Sequence, residues 1–234
     1  MDEWIDYYDS THTLYVSRRH RDLHFKLIAR DIMAYITSPD QVVLDYACGE
    51  ALFADEVAES CGRLILAEPA PGVRGRLVAR FASNSKIWVR SLADLRNMPA
   101  KSVDLIIMNS VAQYMTSDEL NFALFVTRKL LRSSGRLVLG DILRPEIGML
   151  TDVYALVRFA ARHGFLKDAV IGLLSTALSD YRQLRSRVGL KRYSECEIIA
   201  KLAKNGFTAS RAGHNIGHNP WRMTFVARHA LIGH

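Results

Sequence analysis

The chain has 234 residues, 49% of them hydrophobic, and a formal net charge of +7. That is enough apolar material for one substantial core, and enough positive charge to favour an anionic partner: nucleic acid, a phosphorylated small molecule or an acidic membrane surface. The acidic, aromatic start MDEWIDYYDS does not read as a leader peptide, the uncharged run 169–179 is too short for the ~20 apolar residues of a membrane span, and Cys48, Cys61 and Cys196 lack paired spacing, so a soluble cytoplasmic protein without a disulfide framework or zinc knuckle is expected.

The first helical pattern runs from about Arg18 to Thr37. Apolar strands and amphipathic helices then alternate: QVVLDY, a helix from about Leu52 to Ser60, RLILAE, a helix through VRGRLVARFA, and KIWVR. The runs VDLIIMN and RLVLGD flank a longer helical pattern, SDELNFALFVTRKLLRSS. Continuous apolar strands between helices predict a parallel sheet covered on both faces, a doubly wound α/β domain. From Leu143 to Lys191 the alternation stops, and two or three helical patterns with no convincing strand suggest an insertion. Its last part carries Arg182, Arg185, Arg187, Lys191 and Arg192. A helix over Ser194–Asn205 and two strand-like runs, FTASRAG and RMTFVAR, follow, and without a long crossover the last two strands are expected to pair antiparallel.

Ligands of such a sheet bind beyond the carboxyl ends of the strands, at the point where strand order reverses. The first strand ends in VVLDYACGE, residues 42–50. A dinucleotide-binding turn needs G-x-G-x-x-G so that a pyrophosphate can meet the backbone. Only Gly49 is present, and Asp45 and Glu50 would repel phosphate. A nucleotide-dependent oxidoreductase is therefore disfavoured. Two acids suit a cofactor without phosphate, with a cationic amine and sugar hydroxyls to hold.

With these residues the sequence resembles the class I S-adenosylmethionine-dependent methyltransferases. LDYACGE is similar to their first motif, with Ala47 and Cys48 where many members carry glycine, and small residues still allow close backbone approach. The resemblance implies that Asp45, Ala47, Cys48, Gly49 and Glu50 form the cofactor turn. It also implies that Glu68 in LILAEPA, with Pro69 beside it, takes the ribose hydroxyls on its two carboxylate oxygens. ADLRNMP looks like the family's next segment, so that Asp94 would accept from the adenine amine and the Leu95 backbone would meet the ring edge. The resemblance extends through DLIIMNSVAQYM and RKLLRSSGRLVLGD, with Ser133-Ser134 in place of a Pro-Gly turn. It implies a seven-stranded, mostly parallel sheet with an antiparallel last strand, in one domain: a helical lid (1–38), the cofactor core (40–142), a helical cap (143–192) and a C-terminal helix with two strands (193–234).

Methyl transfer is an in-line displacement that loses positive charge, so alignment and exclusion of water can supply most of the rate. A base is required only when the acceptor is protonated. Asn109 and Ser110 would line the methionine end, and Gln113 and Tyr114 would face the acceptor. The N-terminal segment carries Tyr7, Tyr8, Tyr15, Arg18, Arg19, His20 and His24; as a lid it would bring Tyr15 and Arg18 or Arg19 to the methionine carboxylate, and His20 or His24 could act as a base. One turn apart, the two histidines could also suggest a metal pair, but no H-E-x-x-H motif accompanies them. His214 and His218 sit in a loop that would close one side of the acceptor pocket or simply cap the sheet.

No Asn/Asp-Pro-Pro-Tyr motif, Pro-Cys nucleophile or ribose-methylating set is evident. The expectation is therefore a small acceptor methylated on O or N, a metabolite, lipid-like molecule or natural product, anionic if the basic stretch binds it. An RNA methyltransferase and a non-catalytic S-adenosylmethionine-binding module are the alternatives. The apolar insertion would cap an acceptor pocket, or serve as core packing or a dimer interface.

Overall fold

The computed structural model describes Ile5, Asp9, residues 15–177 and residues 190–230. Helix α1 (Arg18–Met33) starts at Ser17, whose side chain accepts the His20 N–H, and it stops four residues short of the Thr37 expected from sequence. The sheet strands are β1 (Val42–Tyr46), β2 (Arg63–Ala67), β3 (Ile87–Arg90), β4 (Val103–Asn109), β5 (Leu131–Ile142), β6 (Phe207–Arg211) and β7 (Met223–His229). Their order is β3-β2-β1-β4-β5-β7-β6; β1 to β5 pair parallel, and β7 runs antiparallel to both β5 and β6. The order reverses between β1 and β4, which places the switch point at the carboxyl ends of those two strands.

Both faces of the sheet are covered, which is why its strands read as unbroken apolar runs. On one face Leu44, Ile106 and Leu137 pack against α4 (Ser117–Leu130) and α7 (Glu195–Lys204) through Leu120, Leu124, Ile198 and Leu202. Both helices begin with capping boxes, Thr116 with Glu119 and Ser194 with Glu197. On the other face Val43, Leu66 and Ile107 meet α1, α2 (Ala54–Glu59) and α3 (Pro71–Arg80) through Ala29, Val57 and Leu77.

Helix α4 ends at Leu130, not at Ser134 as the pattern suggested. Leu131 is already extended and pairs with Val103, while its N–H still closes the helix on Thr127. The pairing then shifts register before Leu105 meets Arg136, so residues 132–134 lie exposed on an irregular stretch of β5, where the resemblance implied a turn.

The insertion contributes α5 (Met149–His163) and α6 (Leu166–Ala177), with Gly164 in the left-handed region between them. Phe159, Ala160, Phe165 and Ala169 form a separate small core with Val16, Leu23 and Leu27 of the N-terminal region. The insertion thus packs on α1 through this small core. Arg182, Arg185, Arg187, Tyr7 and Tyr8 lie outside the described residues. None of the described helices is long and apolar enough to cross a membrane.

Candidate functional site

Between α1 and the carboxyl ends of the strands lies a cavity of about 840 Å³, within the ~300–1,000 Å³ range of small-molecule sites. The turn after β1 forms its floor. Ala47, Gly49 and Ala51 have φ of 58°, 61° and 41°. Ala47 and Cys48 both donate their N–H to the Ala67 carbonyl, which ties the turn to the end of β2. A left-handed alanine costs about 1–2 kcal/mol, and such strain persists where the surroundings over-determine it. It recurs at the tips of the next two strands, at Ser110 (φ 57°) and Asp141 (φ 60°).

Glu68 is buried beside this turn. One carboxylate oxygen accepts the Gly49 N–H at 2.8 Å and the other accepts the Ala70 N–H at 2.8 Å. Burial raises its pKa, although both amides and Arg74 work in the opposite direction. Asp45, on the neighbouring strand tip, is pushed up to about 7 by burial and then by the Glu68 charge. Burial raises the Cys48 thiol pKa too, so it is an inert small residue of the turn. From the N-terminal segment, Asp9 accepts the N–H groups of Gly72 and Val73 at 2.6 and 3.1 Å, a carboxylate cap on α3 donated from more than sixty residues away.

A polar chain runs along the second side. Asn109 donates to Ser110 Oγ at 3.2 Å, and Ser110 donates to Asp141 at 2.7 Å. Arg222 donates to Asp141 at 2.6 Å and to Asp152 of α5 at 3.1 Å. Asn219 also donates to Asp152, and Asn215 donates to Asp141. Gly140 makes room for Asn109: a Cβ there would lie 2.5 Å from Asn109 Oδ1.

The third side is aromatic. His20, His24 and His218 face one another with ring centroids 5.6–6.2 Å apart. Phe165 stacks on His20 and Phe159 stacks on His218. Burial, then the neighbouring His218, lowers His20 to about 4; burial, then His218, His20 and Arg222, lowers His24 to about 3. His218 is lowered by burial and Arg222 but supported by Asp141 and Asp152. Burial thus favours the neutral form of all three rings.

Of the residues singled out in the sequence, Tyr15, Arg18, His20, His24, Asp45, Ala47, Cys48, Gly49, Glu50, Glu68, Asn109, Ser110, Gln113 and Tyr114 line this one cavity. Pro69, Asp94, Leu95 and Arg19 do not. Asp94 is exposed and its carboxylate accepts the Ser91 N–H. Leu95 is fully buried in the core. Arg19 points away and donates to the His163 carbonyl at 3.0 Å, tying α1 to the cap; of the arginine pair, Arg18 is the one at the cavity. His214 is exposed, whereas His218 enters the site. The sequence reading missed Asp9, Arg21, Asp141 and Arg222, all of which line the cavity. Asp141 carried a signal: like Asp45 and Glu68, it is an acid at a strand tip.

Residues 44–139 match a family model described as "Methyltransferase domain". No curated protein matches the chain by sequence. Among solved structures, phosphoethanolamine N-methyltransferase 1 of Haemonchus contortus, in complex with phosphoethanolamine and S-adenosylhomocysteine, is 21% identical with a TM-score of 0.51; the match covers 62% of this chain and 32% of that one. This chain thus spans about a third of that relative's length. Magnesium protoporphyrin IX methyltransferase of Synechocystis PCC 6803, with bound S-adenosylhomocysteine, is 16% identical with a TM-score of 0.57 over 97% of this chain and 93% of that one. The 1,6-didemethyltoxoflavin-N1-methyltransferase of Burkholderia thailandensis, with both its acceptor and S-adenosylhomocysteine bound, is 15% identical with a TM-score of 0.55 over 88% and 78%. At such identities the likeness is one of fold.

Proposed function

We propose that the chain, whose residues 44–139 match a methyltransferase-domain model, is a class I S-adenosylmethionine-dependent methyltransferase that methylates a small-molecule acceptor on oxygen or nitrogen. The single observation that carries the cofactor half is the pair of carboxylates, Asp45 and Glu68, on neighbouring strand tips around the Gly49 turn. Both have raised pKa values, so each gains from a cation or a hydrogen-bond donor placed against it. The residues fit a cationic nucleoside and would repel a pyrophosphate.

S-adenosylmethionine, when bound, supplies an electrophilic methyl group on a sulfonium. In this reading Glu68 holds the ribose hydroxyls on the lone pairs that Gly49 and Ala70 leave open. The open space over Gly49, where a Cβ would meet nothing within 4 Å, lets the cofactor lie against the backbone. Asn109 and Ser110 steady the methionine end, with Tyr15 and Arg18 closing over it from the lid. The cap and α1 exclude water, and Gln113 and Tyr114 orient the acceptor. Asp94 would reach the adenine amine only by sharing the carboxylate that now holds Ser91.

The small-molecule half is supported by the size of the cavity, about 840 Å³, and by its lining from α1 beside the strand tips. The Synechocystis and Burkholderia enzymes are named for small acceptors. The test is transfer of labelled methyl from S-adenosylmethionine in a fractionated cell extract. Label in the small-molecule fraction is expected; label confined to RNase-sensitive material would favour an RNA acceptor, and no label with intact cofactor binding would favour a non-catalytic module.

A further inference from the structure

The three-histidine face contains more unpaired polarity than a buried wall tolerates. Among the described residues, His20 Nε2, His24 Nδ1, His218 Nδ1 and Gln113 Oε1 are all buried without a hydrogen-bond partner. His20 and Gln113 are only 6% and 4% exposed. Each unmet buried group costs about 1–3 kcal/mol, and four together around one cavity point to a ligand that meets them.

The charges nearby narrow the class. Arg222, the cation beside His218, has both terminal nitrogens held by Asp141 and Asp152 and only its Nε unpaired, and burial favours the neutral imidazoles, so a carboxylate or phosphate would gain a single N–H here while facing those two carboxylates. Those same two carboxylates are committed to Arg222, so an ammonium gains nothing either. A plain hydrocarbon would leave the imidazoles unsatisfied. Tyr15 and Phe25 lie beside His24, and Phe159 and Phe165 stack behind the other two rings, which gives flat walls suited to a flat ligand.

Resting on the methyltransferase reading, we propose that this face binds a planar aromatic acceptor carrying a weakly acidic hydroxyl, which donates its hydrogen bond to Nδ1 of His218. This is narrower than the anionic or lipid-like acceptor that the basic stretch suggested. With its proton on Nε2, the neutral His218 ring presents Nδ1 as an acceptor. The O–H bond breaks as the N–H bond forms, its electron pair stays on oxygen, and the imidazolium is stabilised by Asp141 of β5 and Asp152 of α5. The other groups facing His218 are His20 and His24 of α1, Phe159 of α5 and Arg222. His20 and His24, either of which the sequence offered as a base, have no carboxylate supporting the protonated ring and serve in this proposal as hydrogen-bonding walls. Asp141, Asp152 and Arg222 are positioning residues.

The test is calorimetry on the full chain, first with S-adenosylhomocysteine, then on the saturated protein with 1-naphthol, 1-methoxynaphthalene and 1-naphthoate. The expected result is about tenfold or greater preference for 1-naphthol over both others. In His218→Gln that preference falls to about twofold or less. In the unsubstituted protein, ¹⁵N NMR should show the His218 Nδ1 resonance moving with 1-naphthol and not with the ether, whether or not the variant folds. Equal or tighter binding of the ether or the carboxylate overturns this inference alone. Failure of S-adenosylhomocysteine to bind removes the methyltransferase reading and this inference with it.

Discussion

The Glu68 carboxylate and the Gly49 backbone N–H meet at 2.8 Å, nineteen residues apart in sequence. This bond joins the tips of β1 and β2 and fixes the acid proposed to hold the ribose against the turn proposed to meet the cofactor. Glu68→Gln leaves an amide NH₂ facing one of two backbone donors, and Glu68→Ala leaves both donors unmet. Either substitution should weaken S-adenosylhomocysteine binding by about 1.5–3 kcal/mol, the scale of hydrogen bonds to a charged group, as measured by calorimetry. An unchanged affinity would remove the role given to this strand tip.

Asp45 gives the affinity a pH dependence with a definite sign. Its folded pKa, about 7, lies above the unfolded value. Its contribution therefore favours the ligand-free fold at low pH and is lost as pH rises through about 7. A cationic ligand requires the ionised form, so affinity should climb from pH 5 to pH 7, by up to about tenfold per unit, and then level off. Binding below pH 7 should release protons, visible as a buffer-dependent heat. Asp45→Asn should abolish that release and flatten the profile.

Arg222 is predicted to matter for stability before it matters for turnover. Removing it takes from Asp141 and Asp152, 11% and 16% exposed, the guanidinium that bridges them. Arg222→Met should cost about 3 kcal/mol in urea unfolding, the low end for breaking a buried pair. Arg222→Lys should recover only part of this, because one ammonium cannot span both carboxylates as the guanidinium fork does.

Gly140 is a packing prediction at the site itself. A methyl group there would press on Asn109 Oδ1 at 2.5 Å and on Ile216 at 3.2 Å. Gly140→Ala should lower stability by roughly 1–3 kcal/mol, as overpacking does. It should also weaken cofactor binding by displacing Asn109, whereas Gly75→Ala on the exposed side of α3, where nothing lies within 4 Å, should change neither.

Much of the sheet was legible because its signal is local. VDLIIMN becomes β4 at Val103–Asn109 because an unbroken apolar run can only be buried on both faces. The antiparallel end of the sheet followed from the shortness of the loop before RMTFVAR. The end of α4 did not follow, because residues 132–134 are polar enough to continue a helix, and only pairing with β4 draws Leu131 into a strand. Within the site, Asp45 and Glu68 were readable as acids at strand tips. Choosing Arg18 over Arg19 required the helix phase that packing sets. The Asp141–Arg222–Asp152 link and the third histidine join residues seventy to almost two hundred positions apart, and local pattern cannot register them.

The central claim is that Asp45 and Glu68 select a phosphate-free cationic nucleoside. The most direct measurement is calorimetric titration of the full chain with S-adenosylmethionine, S-adenosylhomocysteine and NAD at pH 7.5. The account predicts saturable binding of the first two, none of NAD, and loss of binding in the Asp45→Asn, Glu68→Gln double variant. Saturable binding of NAD with none of either S-adenosyl compound would contradict it.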